Sequence, residues 1–200
     1  MKVGAEGKKY HLHTELLKHH SGYFRGALSG AFKETDDGVI PMTDIGIDAF
    51  DVFVNWLYRG TVRADLEYLR SNRDSGLTIA PRSYVLADRL LVPGLKSALM
   101  DGYFNLFMGD LKYSYPGCHL IIYTFENLTE NDPLLRLCVD LWSINNSLYS
   151  LNEYNKSQVP DLPQAFLVRM VLKMNEVGQT TSSGMILNRE DYNEVAKVDK

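Results

Sequence analysis

Apolar residues fall into two rhythms along the first half of this chain. Tyr10-His11-Leu12-His13 alternates apolar and polar, the period of a half-buried strand. With residues 1–4 and a charged, glycine-bearing turn at 5–8, it predicts a short hairpin. Thr14 then reads as the N-cap of a helix through Leu16 and Leu17 to His20, with Glu15 where the dipole favours negative charge. Ser21-Gly22 breaks that helix and caps a second one, marked by Tyr23, Phe24, Ala27 and Leu28 at helical spacing. Residues 32–38 read as a turn. Val39-Ile40-Pro41-Met42 reads as a strand with an edge-tolerant proline. A loop at 44–48 leads into a strongly apolar helix carrying Ala49, Phe50, Phe53, Val54, Trp56, Leu57 and Tyr58. Gly60 suits a left-handed cap at its end.

Residues 61–80 are weakly patterned and read as a surface insertion with a strand at 77–79. Helices resume after Pro81 and at Pro93. The predicted core is Leu12, Leu16, Phe24, Leu28, Phe50, Phe53, Leu57, Leu86, Leu90 and Leu95. The second half is helical too. One helix opens at Pro116, and a second opens at Asp132-Pro133 with Leu134, Leu137, Cys138, Leu141 and Trp142 on one stripe. A polar linker is expected over 145–161, a last helix after Pro163, and a disordered tail over 177–200.

Composition narrows the chemistry. The 200 residues are 45% hydrophobic, enough for a core, and the net charge of −4 gives no electrostatic footprint for nucleic acid. No apolar run approaches the roughly 18 residues of a membrane span, and the first residues lack the apolar segment of a signal peptide. Two cysteines, Cys118 and Cys138, make neither a disulfide framework nor a four-ligand zinc site by themselves. The chain reads as soluble, cytoplasmic or nuclear, with no membrane partner and no small-molecule substrate.

Four of the five histidines lie between His11 and His20. A metal site needs three or four convergent ligands. His11 and His13 share a strand face but lack a third ligand by spacing, whereas His19 and His20 point about 100° apart on a helix. They read as strand-end and helix-end residues. Cys118-His119, adjacent on a helix, splay apart in the same way. No nucleophile elbow, phosphate loop, His-Glu-x-x-His or dinucleotide fingerprint is present. No catalytic residue, metal or cofactor is therefore expected; a metal-dependent hydrolase built on His11 and His13 is the remaining catalytic rival.

Several pieces, in order, resemble a known family. Tyr10-x-Leu12-His13, then Leu16-Leu17, Ser21-x-Tyr23-Phe24 and Leu28 are similar to the BTB/POZ signature entering its first helical hairpin. Phe32-Lys33-Glu34 resembles that hairpin's exit. Ile40-x-Met42-x-Asp44 and the run from Ala49 to Gly60 resemble the family's third strand and third helix. Tyr84-x-Leu86-Ala87-Asp88-x-Leu90, with Pro93-x-Leu95-Lys96, resembles its last helix pair. The insertion after Gly60 and the aromatic-rich Trp56-Leu57-Tyr58 are most like fungal members.

The resemblance implies an α+β BTB/POZ fold: a small, mainly antiparallel sheet capped by helical hairpins over 1–107, a helical extension over 108–176, and the tail. It implies a non-catalytic protein–protein interaction module whose partners include, in some members, a cullin of a RING ubiquitin ligase. In those adaptors a hydrophobic-x-Glu motif meets the cullin, and Phe32-x-Glu34 matches it. Phe32, Glu34 and Tyr58 are thus the candidate interaction residues. A homo-oligomeric or transcription-associated scaffold is the alternative. The chain begins inside the first strand of that pattern, without the preceding element that some dimeric members exchange, and no kelch, zinc-finger or MATH-like domain is visible.

Overall fold

The computed structural model describes residues 1–29, 39–62, 79–110, 116–145, 153–179 and 187–194. Contacts divide the chain into two compact units, Met1–Arg73 with Thr78–Leu99, and Asp74–Leu77 with Met100–Lys200.

The first unit contains a three-stranded sheet of β1 (Lys2–Val3), β2 (Lys8–Lys9) and β3 (Pro41–Met42), in the order β2-β1-β3. β1 and β2 form an antiparallel hairpin, Lys2 opposite Lys9 and Val3 opposite Lys8. Gly4 and Gly7 turn it with φ of 75° and 65°. The hairpin's second arm thus sits earlier than the Tyr10–His13 alternation suggests. Tyr10 still closes the ladder, its N–H donating to the Met1 carbonyl at 3.0 Å, but its hydroxyl is drawn to Asp51 at 2.6 Å. β3 pairs with β1 in parallel, Lys2 with Pro41 and Val3 with Met42, so the sheet is mixed. The chain returns to β1 through a helical crossover, and a crossover permits parallel pairing where a tight turn does not.

That crossover includes α1 (Thr14–His20) and α2 (Gly22–Ala27). His13, not Thr14, is the N-cap of α1, and its side chain makes no capping bond because it is engaged elsewhere. Ser21 caps α2 as expected: Oγ accepts the Phe24 N–H at 3.1 Å and donates to the Leu90 carbonyl at 2.6 Å. α3 (Ile47–Arg59) starts two residues before the predicted Ala49 and stops at Gly60, whose φ of 71° lets its N–H reach the Trp56 carbonyl at 2.8 Å. α4 (Ile79–Arg89) begins at Ile79, so the strand expected there is helix, while 77 and 78 lie outside the described residues. α4 ends in a Schellman arrangement. Val92 donates to the Ala87 carbonyl at 2.8 Å and Leu91 to the Asp88 carbonyl at 3.0 Å, with Leu91 in the left-handed region at φ 52°. α5 (Pro93–Asn105) follows, its residues through Leu99 belonging to the first unit and those from Met100 to the second.

The apolar face of α3 organises the core. Phe24, Phe50 and Phe53 are sealed from solvent, with Phe53 stacked on Phe24 at 6.1 Å and tilted against Phe50 at 5.4 Å. Leu57, Leu86, Leu90 and Leu95 are buried as predicted. Leu12, Leu16 and Leu28 are only half-buried; on α1 it is Leu17, not Leu16, that turns inward.

The second unit is helical: α6 (Cys118–Asn127), α7 (Pro133–Asn145), α8 (Glu153–Gln158) and α9 (Gln164–Gln179). Phe166 of α9 meets Phe125 and Trp142 edge-on at 5.5 Å each. Trp142 Nε1 donates to the Pro116 carbonyl at 2.8 Å. Asp132 opens α7 by accepting the Leu134 N–H at 2.8 Å. Where a linker was expected over 145–161, the chain forms α8 and a 3-10 turn, Val159–Asp161. Residues 187–194, within the expected disordered tail, are packed: they form the 3-10 turn Arg189–Tyr192 with Tyr192 buried. Their polar composition hid two apolar anchors five positions apart. No helix among the described residues is long and apolar enough to cross a membrane.

Candidate protein-interaction groove

The C-terminal end of α3 faces α1 and α2 across an open groove of about 690 Å³. Its walls include Leu16, Lys18 and His19 of α1, Arg25 of α2, Tyr58 of α3 and His13. Tyr58 follows Leu57 by one position, and one step along a helix turns a side chain by about 100°. Leu57 is therefore buried and Tyr58 is 46% exposed. The Tyr58 ring is not loose. Its hydroxyl lies 2.8 Å from His13 Nδ1 and accepts the His13 backbone N–H at 3.2 Å, and the two rings meet edge-on at 5.7 Å. The phenol thus satisfies the backbone N–H of His13, the residue that starts α1.

Arg25 braces the opposite wall. Nε donates to the Lys18 carbonyl at 3.1 Å and Nη2 to the His19 carbonyl at 3.3 Å, so a cation from α2 covers the negative end of α1. Lys18 also lies 3.6 Å from Glu15. The result is an open groove in which Leu16 and the oriented phenol of Tyr58 sit among Lys18, Arg25, two imidazoles and the Glu15 carboxylate. Such a surface offers an anchor pocket and polar partners to fix register, which suits protein recognition.

Of the sequence-predicted site residues, Tyr58 takes this position, while Phe32 and Glu34 lie outside the described residues. Sequence reasoning missed Arg25 and assigned His13 to a strand end. Neither has a local signal, because both roles depend on an element far along the chain or on a neighbouring helix.

Two further histidines, His11 and His20, do not line this groove. His11 is exposed. His19 and His20 meet edge-on at 4.6 Å, and His20 packs on the edge of Trp56 at 5.2 Å. Among the described residues, no histidine enters a group of three convergent metal-ligating atoms. Cys118 is buried in the second unit, and desolvation pushes its thiol up to about 11, far from a reactive thiolate. Burial raises Cys138 as well.

The mixed sheet, the paired hairpin helices and the aromatic α3 define a small interaction scaffold of one recognised class. The BTB/POZ domain model matches residues 1–99, and the chain belongs to that family. BTB/POZ domains are in general non-catalytic protein-interaction modules. Among curated proteins, Kelch repeat and BTB domain-containing protein 4 of Homo sapiens is 31% identical over 68 residues. That alignment covers 34% of this chain and 13% of the relative. The same-named protein of Pongo abelii is also 31% identical over 68 residues, and that of Mus musculus 29%. The chain thus spans about an eighth of the length of these relatives, whose coverage is 13%.

Proposed function

We propose that this chain is a protein-interaction subunit that couples a cullin scaffold to other proteins, with the groove around Tyr58 as the cullin-facing site. The observation that carries the reading is the exposed phenol of Tyr58, held by His13 over a groove whose other wall is α2. The segment carrying Phe32 and Glu34 follows α2 in the chain, and its hydrophobic-x-Glu pattern supplies the motif that cullin-binding relatives use. BTB/POZ membership supports an interaction role, and the polar rim supports a protein rather than a small-molecule occupant. In this reading residues 1–107 are the docking domain, and 108–176 form an extension that lengthens its surface, in the cytoplasm or nucleus.

The test is co-purification with the N-terminal domain of a cullin, comparing the natural chain with Phe32→Ala/Glu34→Ala and with Tyr58→Ala. Retention of the cullin by the natural chain, lost in both variants, supports the reading. A folded natural chain that binds no cullin, or binds it regardless of these substitutions, rejects it. Sedimentation showing a tight dimer blind to the cullin would favour a homo-oligomeric scaffold instead.

A further inference from the structure

The second unit holds a segment that resembles a bound peptide more than a part of the core. Of residues 187–194 only Leu187 and Tyr192 are buried, at 6% and 3% exposure. Asn188, Glu190, Asp191, Asn193 and Glu194 are exposed. Tyr192 donates its hydroxyl to Asp140 at 2.7 Å, and its ring lies 6.0 Å from that of Phe104. Arg136 places its guanidinium 6.0 Å over the same ring and donates to the Asn193 carbonyl at 3.4 Å. Arg189 donates to Asp101 at 2.6 Å.

The surface that receives this segment is larger than the segment. Beside it, between α7 and α9, an open groove of about 470 Å³ remains, reaching Val139, Leu172 and Lys173. Leu172 is 60% exposed, and it continues into Val168 and Val171, 51% and 61% exposed, one helical turn or less away. Charge adds direction. Residues 187–194 carry Glu190, Asp191 and Glu194 against one arginine, while Arg136, Arg169 and Lys173 line the receiving groove with Asp140 and Glu176. An acidic segment with two hydrophobic anchors is complementary to that wall.

We propose that the α7–α9 groove is a docking site for a short acidic segment of a partner protein. Such a segment presents an aliphatic residue and, five positions later, a tyrosine, and the chain's own residues 187–194 are its resident occupant. The tyrosine fills the place between Phe104 and Arg136 and donates a hydrogen bond from its hydroxyl to Asp140. A further apolar residue in the partner would cover Leu172, which the resident leaves open; that extra contact lets the partner displace a segment held in cis at about millimolar effective concentration. This reading is independent of the groove in the first unit.

The test uses the full chain and a fluorescein-labelled peptide of residues 186–194. Leu187→Ser/Tyr192→Ala releases the resident segment while leaving the groove intact. Anisotropy should show the peptide binding this variant at least about ten-fold tighter than the natural chain, since the competitor in cis is gone. The same peptide with its tyrosine replaced by alanine should bind neither. Equal affinity for variant and natural chain, or indifference to the peptide's tyrosine, overturns the proposal. If the double variant loses its helical circular dichroism, Tyr192→Phe serves in its place, keeping the ring and losing only the Asp140 bond. It should bind the peptide a few-fold tighter than the natural chain, and no gain overturns the proposal.

Discussion

Gly94 lies in the first turn of α5, where most residues without a special task would be cheaper than glycine. Alanine is favoured over glycine within a helix by up to about 1 kcal/mol, so Gly94→Ala should stabilise if local propensity decides. The surroundings oppose this. A β-carbon at Gly94 would stand 2.7 Å from Cζ2 and 3.0 Å from Cη2 of Trp56. Carbon atoms rest at about 3.5–4.0 Å, so the indole would have to retreat by close to 1 Å. It has little room, being 7% exposed and backed by the His20 ring at 5.2 Å. Overpacking of this kind costs about 1–3 kcal/mol, which outweighs the propensity gain and leaves a net loss of about 1 kcal/mol. Gly26 of α2 is the matched control: nothing lies within 4 Å of its absent β-carbon, so Gly26→Ala should gain up to about 1 kcal/mol. Urea unfolding followed by circular dichroism and tryptophan fluorescence reads both, with the midpoint as the observable. A Gly94→Ala midpoint at or above that of the natural chain would show that the indole yields freely and that the packing account is wrong.

Three further outcomes rest on single groups. Ser21→Ala removes a hydroxyl that serves the Phe24 N–H and the Leu90 carbonyl in a sealed site. It should cost about 1–3 kcal/mol in the same titration, and a change below about 0.5 kcal/mol would refute the double role. Gly60→Ala meets no atom within 4 Å but must adopt φ of 71°. It should lose about 1–2 kcal/mol through backbone strain alone, whereas an unchanged melting temperature would contradict it. His20 is held below the ordinary histidine value of 6.5, first by burial and then by the neighbouring His19. The unfolded chain therefore binds this proton more readily. Stability should fall as pH drops through about 6.5 and level off below the depressed native value. His20→Gln should flatten that slope between pH 7 and 5.5; an identical slope would refute the assignment.

How much of this was legible beforehand differs from residue to residue. The spacing of Phe50, Phe53 and Leu57 on one helical face, the Ser21 cap and the stop at Gly60 are local facts. They follow from the period of the helix, from a hydroxyl beside a free N–H, and from the one residue type at ease with positive φ. Such features are written in the sequence because their physics acts within about four positions, and the ordered aromatic pattern was enough to identify the family. The parallel pairing of β3 with β1, the choice of Leu17 over Leu16 as the inward side chain, the grip of Tyr58 on His13, and the anchoring of Tyr192 on Asp140 could not be read this way. Each joins groups separated by tens of positions or is decided by which side chain packs best against a neighbouring element. A side chain's distant partner is set by how helices stack, and only the packed chain resolves that competition.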